Sequence, residues 1–416
     1  MTAFQIFALL LTLAALGAYV NRRFFRLPAT VGLMAFALLI SLIALGLDRL
    51  GFLDMTLASR SIAAIDFSGL FLHGMLSFLL FAGALHIDLA ELKKFRAVVA
   101  VLATIGTAVT VFVTGTLVWY MAGWLGFSFP YIEALLFGAL IAPTDPVAIL
   151  GILKETPVSK SLRIKIGGES LFNDGVGVVA FLVLLTLATG KEPLSPADIA
   201  ALLGWQAVGS VALGLTLGWV AHRLLDSIDD YKLEVMLTLA LVAGGYSLAE
   251  AVYVSGPITM VVAGLVVGNH SHLFATAHKQ RVHLDLFWEL LDEILNAILF
   301  LLMGFEMMVI PITALDLALG LFAILAMLMG RFVSVAVPVA LMRKRYNFEK
   351  GTIRLLTWGG LRGGISIAMA LALPAGALRE QFLAMTYMAV AFSILFQGTT
   401  FRHVVRMVVK PARAGT

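Results

Sequence analysis

Along the 416 residues, apolar runs about 20 residues long recur from end to end, separated by short clusters of charged and turn-forming residues. Runs of that length cross the roughly 30 Å hydrocarbon layer as α-helices, and none shows the two-residue alternation of a barrel strand. The pattern predicts thirteen spans, at 3–21, 28–46, 67–87, 97–123, 131–154, 166–190, 203–226, 234–251, 257–270, 286–310, 315–342, 352–376 and 381–401. The expected fold class is an all-α polytopic membrane protein.

Three spans depart from the pattern. The fifth is interrupted by Ala142-Pro143-Thr144-Asp145-Pro146. Each proline lacks an N–H and clashes with the preceding turn, so two half-helices should meet at an extended break. The twelfth carries Gly359-Gly360-Leu361-Arg362-Gly363-Gly364, four glycines around a buried guanidinium. These two spans cross in opposite senses, and irregular backbone at membrane depth needs protein or a wet cavity around it. Two broken, oppositely directed helices predict inverted repeats with a site between them. The sixth span reads IGGESLFNDGVGVV at 166–179, with Glu169, Asn173 and Asp174 where a lipid-spanning helix should have none. Each ionisable group there costs roughly 2.5–3.5 kcal/mol on insertion scales, a cost that function usually explains.

Helical spacing sorts these side chains. Ser170 and Asp174 share a face, and Glu169 and Asn173 share another about 100° round. If one face meets the first break, Asp174, Ser170, Asp145 and Thr144 supply only oxygen atoms, and hard oxygen donors suit a small hard cation. Arg362 is expected to hold Glu169 ionised as a buried pair, leaving a site for which proton and cation compete. Plainer readings stand beside this one. Ser170 or Asn173 taken singly suits helix–helix bonding, and Asp145 suits the cap of a half-helix. Arg331 reads as half of a structural pair, and Glu133 as a wet span end. Glu289, Asp292 and Glu293 read as an entrance funnel or a solvated helix end. His270, His272, His278 and His283 read as one wet loop, and Asn296 and Gly304 as close helix contacts.

Composition sharpens the class. With 61% hydrophobic and 13% charged residues and a mean hydropathy of +0.99, the chain is too apolar for a soluble globule, about a quarter of which is charged. The net charge of +4 reports topology: 23 basic residues fall after the odd-numbered spans and in the tail, and only 4 in the other loops. The basic face should be cytoplasmic, with the N-terminus outside and the C-terminus inside, so nucleic-acid binding is not implied. Arg22, Arg23 and Arg26 follow the first span rather than precede it, so it reads as a retained helix. The absence of cysteine excludes disulfides, thiolate zinc sites and thiol catalysis. There is no GxxxxGK[ST] loop, GxSxG or HExxH, which speaks against ATP coupling and against an enzyme, and no cofactor is expected. A carrier of another proton-coupled solute and an ion channel stay open as rivals.

At these residues the chain resembles the monovalent cation:proton antiporter superfamily, in its NhaP/NHE-like branch. The matching pieces are APTDPVAIL at 142–150, GGESLFNDGVGVV at 167–179, FWELLDEILNAILFLLMG at 287–304 and GGLRGGISIAMAL at 359–371. The resemblance implies an NhaA-like fold of two crossed broken helices, with a core subdomain near 97–190 and 315–401 and a dimerisation subdomain near 1–87 and 203–310. It implies an elevator-type antiporter of a cell membrane, exchanging Na⁺ or Li⁺, or alternatively K⁺, for H⁺, as a homodimer. It makes Asp174 the principal cation and proton carboxylate, with Thr144 and Ser170 as further oxygens and Asp145 acting directly or through water. Glu169 would pair with Arg362 at the site's edge. Asn173 stands where electrogenic relatives carry a second aspartate, which implies one cation per proton.

Overall fold

The computed structural model describes residues 3–52, 69–126, 129–154, 156, 158–190, 195–269, 278–306, 313–346 and 348–408, and all regular structure among them is helical. In chain order the helices are α1 Ala3–Val20, α2 Ala29–Arg49, α3 Leu70–Leu85 and α4 Leu89–Trp124. The half-helices α5 Tyr131–Ile141 and α6 Pro146–Lys154 flank the first break. Next come α7 Lys160–Thr189, α8, which joins Pro196–Gly204 to Ser210–Asp226 through Trp205–Gly209, and α9 Tyr231–Ala251. They are followed by α10 Gly256–Asn269, α11 His278–Glu306 and α12 Ala314–Met342. The short α13 Thr352–Trp358 and α14 Gly364–Leu371 flank the second break, and α15 Ala377–Val408 ends the described chain. Eight helices among the described residues are long and apolar enough to cross a membrane.

Several helices start earlier than the apolar runs suggest, because their caps lie in the polar flanks. Asp88 accepts from the N–H groups of Ala90 and Glu91 and starts α4, and Ser159 accepts from Leu162 and starts α7. A side-chain oxygen there satisfies donors the first turn would leave unpaired. Likewise α11 begins at His278, so His278 and His283 belong to a helix rather than a loop. The ring of His283 packs 5.2 Å from that of Tyr231. His270 and His272 lie outside the described residues. Conversely α10 has only 14 residues, about 21 Å of helix, shorter than the roughly 20 residues usual for a span.

Two sets of neighbours follow from the packing. In one, α10 lies against α3 and α8, and α11 against α1 and α2. In the other, α4 lies against α5 and α12, α7 against α4 and α5, and α15 against α12 and α14. Wide, π-type turns interrupt several helices, a feature the hydropathy pattern does not carry. One, Leu70–Met75 in α3, is braced by the Tyr246 hydroxyl donating to the Leu72 carbonyl at 2.5 Å. Another, Phe392–Gln397 in α15, presents Ser393 to the second break.

Candidate functional site

The two breaks meet. The Asp145 N–H donates to the Leu361 carbonyl at 2.7 Å, so the extended backbone of one interruption pairs with that of the other. This backbone pairing answers the requirement that peptide groups removed from a helix in a dry environment find partners. The glycines of the second break make the approach possible: a Cβ on Gly363 would overlap the Asp145 side chain, and one on Gly360 would overlap the Arg331 guanidinium. Adding that carbon by Gly363→Ala should cost about 1–3 kcal/mol, as overpacking of a filled site does. A thermal melt of the purified variant measures it.

The broken half-helices also demand charge. At the end of α5 the Ala142 and Pro143 carbonyls have lost their helical donors. The Arg362 guanidinium donates to both through Nη1, at 3.0 Å to Pro143. At the start of α6 the Asp145 carboxylate accepts from the Val147 and Ala148 N–H groups, both at 2.9 Å. A cation at a helix C-terminus and an anion at an N-terminus each complement the helix dipole. The Arg362 backbone N–H is in turn held by the Ser393 hydroxyl at 2.8 Å. Ser393 carries no sequence signal beyond being a serine in an apolar run.

The expected Glu169–Arg362 bond is not made. Glu169 is held by Arg331 from α12, two parallel bonds of 2.6 and 2.7 Å to its two oxygens, while Arg331 Nε donates to the Leu356 carbonyl at 3.2 Å. The physical reason is that Arg362 is already committed to the carbonyls of the break, whereas the guanidinium fork of Arg331 faces a carboxylate it matches edge to edge. The expectation that Arg331 forms a structural pair agrees with this contact.

Around Glu169 the polar groups of α7 are threaded together. Asn173 Nδ2 donates to Glu169 at 2.9 Å and to the Thr144 hydroxyl at 2.8 Å, and its Oδ1 accepts from the Thr144 N–H at 3.2 Å. The Thr144 hydroxyl donates to Ser170 at 2.9 Å. All four of these residues are at most 1% exposed. Asp174 is also 1% exposed, and its Oδ1 is buried without a hydrogen-bond partner.

That oxygen belongs to a residue lining a cavity of about 30 Å³, which Thr144, Asp145 and Asp174 share with Asn296 of α11 and with apolar residues of α3, including Phe71 and Leu80. Of the expected site residues, Asp174, Thr144 and Asp145 thus line one cavity. Ser170 and Asn173 stand behind Thr144, Glu169 is engaged by Arg331, and Arg362 fastens the break. Asn296, which the sequence presents as a packing residue, also lines this cavity. The volume accommodates a water or a bare ion but is far below the several hundred Å³ of an organic ligand's pocket. Among the described residues no three His, Cys, Asp or Glu side chains converge as a metal cluster would need. The donors are instead carboxylate with neutral oxygens, which suits low charge. The family model described as the transmembrane sodium/hydrogen exchanger matches residues 9–407. The chain belongs to the sodium/hydrogen exchanger family.

Other matches to this exchanger-family chain agree. It is 44% identical over 409 residues to the Na⁺/H⁺ antiporter NhaP of Pseudomonas aeruginosa, covering 97% of this chain and 96% of that protein. It is 31% identical to the Na⁺/H⁺ antiporter NhaH of Halobacillus aidingensis, covering 89% and 90%. The fold is similar to that of the sodium proton antiporter MjNhaP1 from Methanocaldococcus jannaschii at pH 8, with a TM-score of 0.76, 20% identity and 97% of both chains covered.

Proposed function

We propose that this protein is a secondary antiporter that exchanges Na⁺ for H⁺ across a cell membrane, with Asp174 carrying either ion in turn. The observation that supports it best is the unpartnered Asp174 oxygen on a residue that lines an ion-sized cavity at the crossing of two broken helices. Thr144 and Asp145 would contribute further oxygens. Ser170 and Asn173 would orient Thr144, and Glu169 would act from the edge through Asn173. The family relationship and the relatives' printed activity support the same reading.

The buried charges favour one-for-one exchange. Glu169, Asp145 and Asp174 face two guanidiniums, Arg331 and Arg362, so the set carries one surplus negative charge that a single H⁺ or a single Na⁺ neutralises. Both loaded forms then carry equal charge, and the step that moves them across feels no membrane potential. In proteoliposomes an imposed voltage should leave the initial rate of Na⁺-driven H⁺ movement unchanged. A voltage-dependent rate would contradict the scheme.

In the same proposal α4–α7 and α12–α15 form a moving core, corresponding to the expected 97–190 and 315–401. The remaining helices form a scaffold, corresponding to 1–87 and 203–310. The cavity is lined from both sets, as an elevator that slides one against the other would need. Counting each broken pair as one crossing, the helices would make thirteen crossings, with the N-terminus outside, the C-terminus in the cytoplasm, and two inverted halves. Assembly as a homodimer belongs to the proposal through the family resemblance. The direct test is dissipation of a preset pH gradient in vesicles by Na⁺, Li⁺, K⁺ or choline. A response to Na⁺ and Li⁺ but not choline supports the exchange, a response to K⁺ would place selectivity elsewhere in the family, and no response to any alkali ion would overturn it.

A further inference from the structure

The cavity has two walls of opposite character. The breaks and α7 bring Thr144, Asp145 and Asp174, whereas α3 and α11 bring Phe71 and leucines with a single polar side chain, Asn296. Asn296 is 6% exposed, and its Nδ2 donates to the Asp292 carbonyl one turn back at 2.7 Å. The carboxamide oxygen is the end of the group left over from that bond. A buried amide among hydrocarbon is costly unless its polar atoms are used, and the cavity it lines is also lined by Asp174, whose Oδ1 is unpartnered.

The mounting is stiff. Eight residues before Asn296, Trp288 is fully buried, packs 4.8 Å from the Phe81 ring and donates to the Thr238 hydroxyl at 3.1 Å. Eight residues after it, Gly304 lies against Ala37, and its carbonyl accepts from the Ser41 hydroxyl at 2.9 Å. Each anchor is about 12 Å along α11 from Asn296, so the amide is held at a defined height on the scaffold wall.

We propose that Asn296 is a specificity-determining ligand of the exchange site, whose carboxamide oxygen completes the shell around the alkali cation and adds nothing to the proton-loaded form. The inference rests on the Na⁺/H⁺ reading above. A proton on Asp174 is satisfied by one covalent O–H bond, whereas an alkali ion stripped of water needs several oxygens in place of its hydration shell. Because Asn296 rides on α11 and Asp174 on α7, the shell is complete only while the two helices stand as they do here. Displacing α7 along α11 replaces the amide by leucine side chains and loosens the ion without touching the carboxylate.

The test uses the full chain in proteoliposomes, reading Na⁺-driven dissipation of a pH gradient. Asn296→Leu, similar in size but without oxygen, should raise the apparent KM for Na⁺ about tenfold, the effect of one lost polar contact, while Vmax stays within about twofold and the protein melts as wild type does. Asn296→Asp keeps an oxygen in place and should hold KM within about threefold of wild type. Unchanged KM in Asn296→Leu, a fall in Vmax alone, or equal KM losses in the leucine and aspartate variants would overturn the proposal. If Asn296→Leu does not assemble, Asn296→Ala is read by the same criteria. Wild-type protein that fails to respond to Na⁺ would instead refute the exchange reading itself, before any variant is compared.

Discussion

Asp174→Asn is expected to reduce exchange to the level of empty vesicles while the protein still inserts, folds and purifies. The amide keeps the size and one oxygen of the carboxylate but can neither release a proton at any accessible pH nor offer an anionic ligand. The two states that carry ions in opposite directions are therefore both lost. Stability should move the other way. The wild-type carboxylate is buried with an unpartnered oxygen, and an isolated buried charge is far more costly than a neutral polar group, so the variant should melt at the same temperature or higher at neutral pH. Gradient dissipation in vesicles and a thermal melt in detergent check the two halves together. Retained wild-type turnover would remove Asp174 from the transport cycle. Lost turnover with a collapsed melt would make its role structural.

Breaking the Glu169–Arg331 pair should produce the largest loss of stability. Both side chains are buried, at 1% and 5% exposure, and the two bonds are short and parallel. Removing one partner of such a pair strands the other charge in a dry interior and typically costs about 3–5 kcal/mol, whereas replacing both can be neutral. Glu169→Gln and Arg331→Met should each lower the melting temperature markedly, and the double variant should recover most of that loss. Arg331→Lys should not rescue, since a single ammonium cannot make the paired bonds of the guanidinium fork. Exchange should fall in each single variant, because Glu169 positions Asn173, which in turn holds Thr144. Equal melting temperatures in wild type and both single variants would show that the pair contributes nothing to the fold.

Arg362 and Arg331 show how far residue order carries the site and where it stops. Both lie in apolar spans, both are buried, and either could have met a carboxylate on α7. Two prolines within four residues, and four glycines within six, announced the breaks directly, because their clustering weakens a continuous helix far more than a single such residue does, and the apolar runs announced the bundle through their length. Carbonyls at the end of α5 need donors as soon as Pro143 and Pro146 interrupt the helix, which was a legible clue that a guanidinium would be spent there. That the clue pointed to Arg362 depended on the second break lying against the first, a fact of packing.

The chain alone determined the membrane class, the two interruptions and the set of polar groups that had to be buried, since each follows from the cost of placing those residue types in hydrocarbon. The tertiary structure decided which of them touch: Arg331 with Glu169 across 162 positions, Ser393 with the second break, and Asn296 beside Asp174 on one cavity. Periodicity within a helix tells which side chains share a face. It carries no information about which face of another helix arrives opposite, because that is set by side-chain packing between segments distant in sequence.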